Sequence, residues 1–101
     1  MEKRKPHYAL ADVHAAFDDP ARLNRTLTAT EGAEDLGLDE AAVVAVIRGL
    51  SMADFDKSMT SSRDHRVWQD VYRPVAGRRT LYVKFTLDAQ GALLLISFKE
   101  A

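Results

Sequence analysis

The spacing of apolar residues along the chain changes once, from a helical period to a strand-like one. Apolar residues recur three or four positions apart in the first half, at Leu10, Val13 and Phe17 and again at Val43, Val46, Ile47 and Leu50. From about Phe55 onward, short apolar or alternating runs are separated by turn residues, which is typical of strands. The pattern predicts an α+β fold, with N-terminal helices packed on an antiparallel sheet formed by the C-terminal half.

Three helices are predicted from start and stop signals. Pro6 suits the first turn of the first helix, which ends at the Asp18-Asp19-Pro20 segment. The second covers about residues 27–36, with Gly37 as its C-cap, although Gly32 inside it costs roughly 1 kcal/mol relative to alanine. Asp39 is the N-cap of the third, which ends at Gly49. A short capping turn follows at Ser51 to Asp54.

Four strands are predicted, over residues 55–60, 67–73, 80–87 and 92–98. Residues 75–78 and 88–91 read as four-residue hairpin loops. The apolar run at 93–96 suits a central strand covered on both faces.

These loop lengths predict which side chains share a face of the sheet. They pair Pro74 with Arg79 and Leu87 with Ala92, and side chains alternate along each strand. One face is then polar and basic, and its members are Gln69, Arg73, Tyr82, Lys84, Ser97 and Lys99. The opposite face is the predicted core, formed by Trp68, Tyr72, Leu81, Val83, Phe85, Leu94, Ile96 and Phe98. The loop before Val67 is too long to place Lys57 on either face.

Composition narrows the class of protein. A chain of 101 residues predicts one domain over 1–101, and no apolar run approaches the roughly 18 residues that span a bilayer. The basic start has no apolar stretch behind it, so no signal peptide is expected and a cytoplasmic protein fits. The net charge is −1, yet residues 48–84 carry eight Lys or Arg against four Asp. Such a basic middle attracts phosphates, although an uneven solvated surface is the simpler explanation of the charge taken alone.

The polar face of the predicted sheet carries the candidate catalytic residues. RNA is cut without metal when its 2′-hydroxyl attacks the adjacent phosphate, which needs a proton acceptor, a cation and a proton donor. Candidates of the required types are Lys57, Gln69, Arg73, Tyr82, Lys84 and Lys99. The competing interpretation is a solvated sheet face with ordinary charged residues.

No metal or cofactor is expected. The chain has no cysteine, and His7 and His14 supply at most two ligands from one helix face. His65, in the polar loop 61–66, is either a surface residue or a contact to substrate. There is no nucleophile elbow and no glycine-rich phosphate loop.

Several segments resemble the MqsR toxins, in order from the first residue to the end of the chain. The most specific are Lys57-Ser58-Met59-Thr60 and Trp68-Gln69-Asp70-Val71-Tyr72-Arg73-Pro74. The others lie at 1–7, 34–39, 49–51, 54–56, 64–67, 81–84 and 96–100.

The resemblance implies a RelE-like fold and a ribosome-independent mRNA interferase that prefers GCU-type sites. It also implies a partner, a zinc-containing, DNA-binding antitoxin of the MqsA type. The family's active-site lysine, glutamine and tyrosine fall on Lys57, Gln69 and Tyr82, and a C-terminal lysine grouped with them falls on Lys99. Further RNA contacts are expected from a second set, Met59, His65, Arg73 and Lys84.

One position departs from the family pattern. Some members carry an aromatic residue where this chain has Asp56, and an acid there cannot stack on a base and would repel phosphate. Two rival functions remain open at this stage. One is a non-catalytic module that binds RNA or the antitoxin, and the other is a purely structural interaction domain.

Overall fold

The computed structural model describes all 101 residues and has three helices and a six-stranded antiparallel sheet. The helices are α1 (Leu10–Ala16), α2 (Leu27–Asp35) and α3 (Glu40–Arg48). The strands are β1 (Glu2–Lys3), β2 (Phe55–Thr60), β3 (Trp68–Tyr72), β4 (Val75–Ala76), β5 (Arg79–Leu87) and β6 (Leu93–Glu100). The predicted α+β class is confirmed, with helices first and most strands second. No helix is long and apolar enough to cross a membrane.

The helix boundaries follow the predicted signals except at the first start. Thr26 and Asp39 cap α2 and α3, each accepting a hydrogen bond from a backbone N–H three residues on. Gly37 has a φ of +73°, as a helix C-terminus requires. The prediction that α1 starts near Pro6 was wrong, because it starts at Leu10 and residues 7 and 8 are instead held by the sheet.

The strands lie side by side in the order β1–β2–β3–β5–β6, and β4 pairs with the beginning of β5. The predicted four-residue loop at 75–78 was wrong. Val75 and Ala76 form β4, so that Gly77 and Arg78 alone make the turn, with Gly77 at a φ of +65°. The register between β3 and β5 therefore moves by two residues from the predicted one, which leaves every side chain on its predicted face.

The second hairpin departs from the prediction, because Leu87 pairs with Leu93 and the loop spans residues 88–92, so the predicted four-residue loop at 88–91 was wrong. The register near this turn is therefore shifted by one residue, and a bulge further along the pairing of β5 with β6 restores the predicted faces from Ser97 onward.

Lys84 pairs with Ser97, but Phe85 pairs with Leu95, so Ile96 is the extra residue. Leu95 is fully buried in the core, whereas Leu94 pairs with Thr86 on the other face. The placement of Leu94 and Ile96 in the core was therefore wrong.

β6 is not a central strand of the ladder, contrary to the prediction, since it pairs with β5 alone. Its free edge is covered by residues 24–26, which bond to Leu95, and by α2. Gly32 permits this approach: a Cβ at that position would lie 2.1 Å from the Phe98 carbonyl oxygen. The glycine that weakens α2 as an isolated helix is thus the residue that allows α2 to pack on the sheet.

The helices cover one face of the sheet, and the core lies between them. Thirteen buried residues form the core cluster, from the helices and from the core face of β3, β5 and β6. Trp68 is absent from that cluster, so its prediction as a core residue was wrong. It is half-buried at the start of β3. The His7 ring stacks on it with 5.2 Å between ring centres, and the Lys3 ammonium lies 4.2 Å from its ring centre.

Candidate active site

The uncovered face of the sheet gathers basic and polar side chains from four strands. Lys57 on β2 lies opposite Val71, Val71 lies opposite Lys84 on β5, and Lys84 lies opposite Ser97 on β6. This row crosses the whole centre of the sheet. Val71 is fully buried although no helix packs on this side, and the aliphatic stems of the flanking lysines are in position to cover it.

Two further rows flank the central one. In the first, Tyr82 on β5 pairs with Lys99 on β6. In the second, Met59 on β2 pairs with Gln69 on β3. This surface, the basic face, consists of Lys57, Met59, Gln69, Tyr82, Lys84 and Lys99.

The structure therefore brings together all four residues predicted to be catalytic. The register confirms the prediction that Gln69, Tyr82 and Lys99 lie on one side of the sheet. It also places Lys57, whose face the sequence spacing leaves open, on that side. Met59 and Lys84, predicted to contact RNA, also lie there.

The other two predicted RNA contacts lie away from the centre. Arg73 follows directly after β3 and is exposed, with its backbone N–H donating to the Asp54 carbonyl at 2.7 Å. His65 is exposed in the loop between β2 and β3, beside Asp64, and makes no hydrogen bond to the basic face. Arg73 is thus at the rim of the face, and His65 is not part of it.

Tyr82 stands between two ammonium groups. The Lys99 Nζ lies 5.5 Å from the centre of its ring and the Lys84 Nζ lies 5.7 Å from it. Cations at this range are attracted to the electron-rich face of an aromatic ring. The two lysines are therefore held close to the phenol, where all three groups can reach one phosphodiester.

Electrostatics single out Lys84 at the centre of this arrangement. Burial lowers the pKa of its amine, and the neighbouring charges of Lys99 and Lys57 lower it further. No carboxylate lies within ion-pair distance of Lys84 or Lys99. Concentrated positive charge without matching acids is a surface prepared for an anion.

One carboxylate reaches this face, and sequence reasoning missed it. Glu2 on β1 pairs with Met59, and its Oε1 accepts a hydrogen bond from the Lys57 Nζ at 3.3 Å. No local pattern predicts a two-residue strand that pairs with residues far along the chain. Asp56, the departure from the family pattern, is the unpaired residue of a bulge between Phe55 and Lys57, and its carbonyl accepts from Arg4 at 3.5 Å.

The basic face is open. The two surface pockets of the molecule lie elsewhere, one against α1 near His14 and the other between α3 and the β4–β5 turn. No group of three histidine or acidic side chains is arranged to hold a metal ion. An open strip of this kind suits an extended polymer with regularly spaced phosphates better than an enclosed small molecule.

Known proteins similar in sequence to this chain are toxins, one of them named an mRNA interferase. Residues 5–100 match the model of a family described as the motility quorum-sensing regulator, toxin of MqsA. The chain is also 43% identical to the mRNA interferase toxin MqsR of Escherichia coli strain K12 over 100 residues, which covers 99% of each chain.

Proposed function

The chain belongs to the MqsR toxin family, and from this premise we propose that it is an endoribonuclease that cuts mRNA and is inhibited by its own antitoxin. The observation that carries the proposal is the convergence of Lys57, Gln69, Tyr82 and Lys99 on one open, basic face. The relative's printed name, mRNA interferase, supplies the substrate class.

The proposed reaction is attack of the RNA 2′-hydroxyl on the adjacent phosphate. Lys57 and Lys99 stabilise the negative charge that builds up on the phosphorane, and Gln69 positions the RNA by hydrogen bonds. Tyr82 transfers or orients a proton at the reacting oxygens. The products are a 2′,3′-cyclic phosphate and a 5′-hydroxyl. Lys84 and Arg73 bind flanking phosphates, and Met59 lies where it can contact a base.

The family resemblance supports further details of the cleavage reaction and of its inhibition. We propose cleavage at GCU-like sites, independence of the ribosome and of metal, action in the cytoplasm, and inhibition by a zinc-containing, DNA-binding antitoxin of the MqsA type. We also propose that residues 1–101 act as one domain. Asp56 bears on the sequence preference, since a carboxylate beside Lys57 disfavours a phosphate there.

The test maps the ends produced from a defined RNA that contains GCU sites, with and without EDTA. We expect cleavage in chelator, and a loss of roughly 10²-fold or more in rate for Tyr82→Phe and for Lys57→Ala. Tyr72→Phe is the matched control, because Tyr72 lies in the core. Equimolar antitoxin should stop the reaction. RNA that is bound and left intact would instead favour a non-catalytic binding module.

A further inference from the structure

The N-terminal segment is built into the edge of the basic face. Met1 and Thr60 are joined twice, by the Thr60 N–H to the Met1 carbonyl at 2.9 Å and by the terminal ammonium to the Thr60 hydroxyl at 3.1 Å. Glu2 and Lys3 then pair with Met59 and Ser58. Because side chains alternate along a strand, Glu2 lies on the basic face and Lys3 lies on the opposite side, over Trp68.

A buried carboxylate holds the other end of this segment. Asp70 is fully buried and accepts hydrogen bonds from the backbone N–H groups of His7 and Tyr8, at 3.0 Å and 2.9 Å, and from the Ser58 hydroxyl at 2.6 Å. The Tyr8 hydroxyl donates to the Trp68 carbonyl at 2.7 Å. Residues on both sides of Glu2 are therefore tied to β2 and β3, so its backbone position is determined by the fold.

Apart from Lys84, whose amine has a lowered pKa, the lysines, the phenol and the amide of the basic face are poor proton acceptors at neutral pH. Lysine side chains are ordinarily protonated there, phenols ordinarily keep their proton, and an amide is not basic, whereas a carboxylate is ionised and can accept a proton. Among the residues that the strand register places on this face, Glu2 is the one carboxylate. Its side chain is 54% exposed, and only Oε1 is engaged, by Lys57, which leaves Oε2 free.

We propose that Glu2 is the general base of the reaction, an inference that rests on the proposed ribonuclease function. The carboxylate takes the proton of the 2′-hydroxyl as the 2′-oxygen forms its bond to phosphorus. The bond from phosphorus to the 5′-oxygen breaks, and the leaving oxygen takes the proton of the Tyr82 hydroxyl. Lys57, beside Glu2, stabilises the charge on the phosphorane. The proton on Glu2 then passes to water, and the donor is reprotonated.

Glu2 lies beside the lysines of the basic face. Lys57 on β2 is its ion-pair partner, and the charges of Lys57 and Lys99 both act on Lys84 at the centre of the same face. On its own strand, Lys3 faces the other side and the terminal ammonium is bonded to Thr60. A phosphate attracted to these lysines is therefore bound on the side of the sheet that carries Glu2.

The experiment measures single-turnover cleavage of the GCU-containing RNA by untagged chains of residues 1–101. Glu2→Gln, which keeps the size and the contact to Lys57, should be slower by roughly 10²-fold near neutral pH. Two controls should stay close to the unmodified rate. Glu40→Gln removes the charge of a similarly exposed carboxylate, which pairs with Arg25 at 3.5 Å, and Lys3→Gln changes the same strand on the other face. Thermal unfolding of each variant reports whether the segment remains docked.

The outcomes separate the two proposals. If the unmodified chain cuts RNA and Glu2→Gln keeps full or increased activity, Glu2 is not the base and the ribonuclease function still stands. The ion pair is then a contact that masks Lys57. An unchanged rate in Glu2→Gln, together with a loss of roughly 10²-fold in Lys84→Gln, overturns the role of Glu2 in favour of the lysine. Absence of cleavage by the unmodified chain overturns both the ribonuclease function and this inference.

Discussion

The two faces of the sheet differ in how their charged side chains are compensated. On the helix-covered side, the one buried carboxylate, Asp70, accepts hydrogen bonds from three neighbouring residues. On the basic face, Lys57, Lys84 and Lys99 lie together with one acidic side chain within reach, that of Glu2. A protein gains nothing in stability from three neighbouring cations. The difference shows that one face is arranged for folding and the other for an anionic ligand.

The largest expected effect is on stability, from the core face. Phe85→Ala removes a fully buried ring that packs against Phe17 and Tyr72, and should lower the free energy of unfolding by about 3–5 kcal/mol. Denaturant unfolding measures it. Its neighbour Lys84, on the opposite face, offers the contrast, because Lys84→Met should change stability by less than about 1 kcal/mol. Comparable losses from both variants would show that the two faces do not differ in this way.

Asp70→Asn should have the next largest effect. It removes the charge from an acceptor of two backbone N–H groups and a hydroxyl, and hydrogen bonds to charged groups contribute about 1.5–3 kcal/mol each. We expect a loss of about 2–3 kcal/mol, with faster amide exchange at His7 and Tyr8. Asp64→Asn is the control, because the Asp64 carboxylate accepts hydrogen bonds only from Arg66 in an exposed loop, and it should cost far less stability than Asp70→Asn. Unchanged protection of the two amides would mean that Asp70 does not hold the N-terminal segment.

On the basic face, Lys84→Met should weaken RNA binding while keeping the apolar stem over Val71. Each lost phosphate contact should reduce the slope of log affinity against log salt by about 0.7 for a single strand. The measurement is a salt titration of binding to uncut RNA, in a Tyr82→Phe background that suppresses cleavage. Lys3→Met, on the other side of the sheet, should leave the slope unchanged. An equal slope for both variants would remove Lys84 from the RNA contacts.

The smallest effect concerns Tyr72, whose ring lies in the core on the helix-covered side. The Tyr72 hydroxyl is buried without a hydrogen-bond partner, so Tyr72→Phe should change stability at neutral pH by less than about 1 kcal/mol. Burial, assisted by the charge of Asp70, raises the pKa of Tyr72 from 10.0 to about 12. The folded state therefore holds this proton more tightly than the unfolded state, and stability is lost as the pH rises from about 10 to 12. Urea unfolding should show a shallower alkaline loss in Tyr72→Phe, and an equally steep loss would contradict the assignment.

Local signals predicted most of the elements because each rests on neighbouring residues. The cap at Asp39, the strand at residues 55–60 and the turn glycine at Gly77 depend on a few adjacent side chains. The face of Tyr82 was predicted correctly even though the first hairpin loop was not, because the error in register was two residues. An even error preserves which side chains share a face.

The errors arose where one residue changes the alternation or where distant segments meet. The one-residue longer loop of the second hairpin exchanges Leu94 for Leu95 in the core, and the apolar run at 93–96 holds no residue that marks the bulge at Ile96. Similarly, Lys57 could not be placed until its pairing with Val71 was known. Lys99 kept its predicted face because the bulge compensates the shifted register of the second hairpin.

What the sequence by itself determined is the order of helices and strands, the segregation of basic from apolar side chains on β5, and the resemblance to the MqsR toxins. These depend on short-range periodicity and on residue types, both of which are visible without coordinates. The tertiary structure alone decided that Glu2 stands beside Lys57 and that Asp70 holds residues 7 and 8 in place. Such contacts join segments more than fifty residues apart, and their geometry is set by pairing and burial that no local pattern contains.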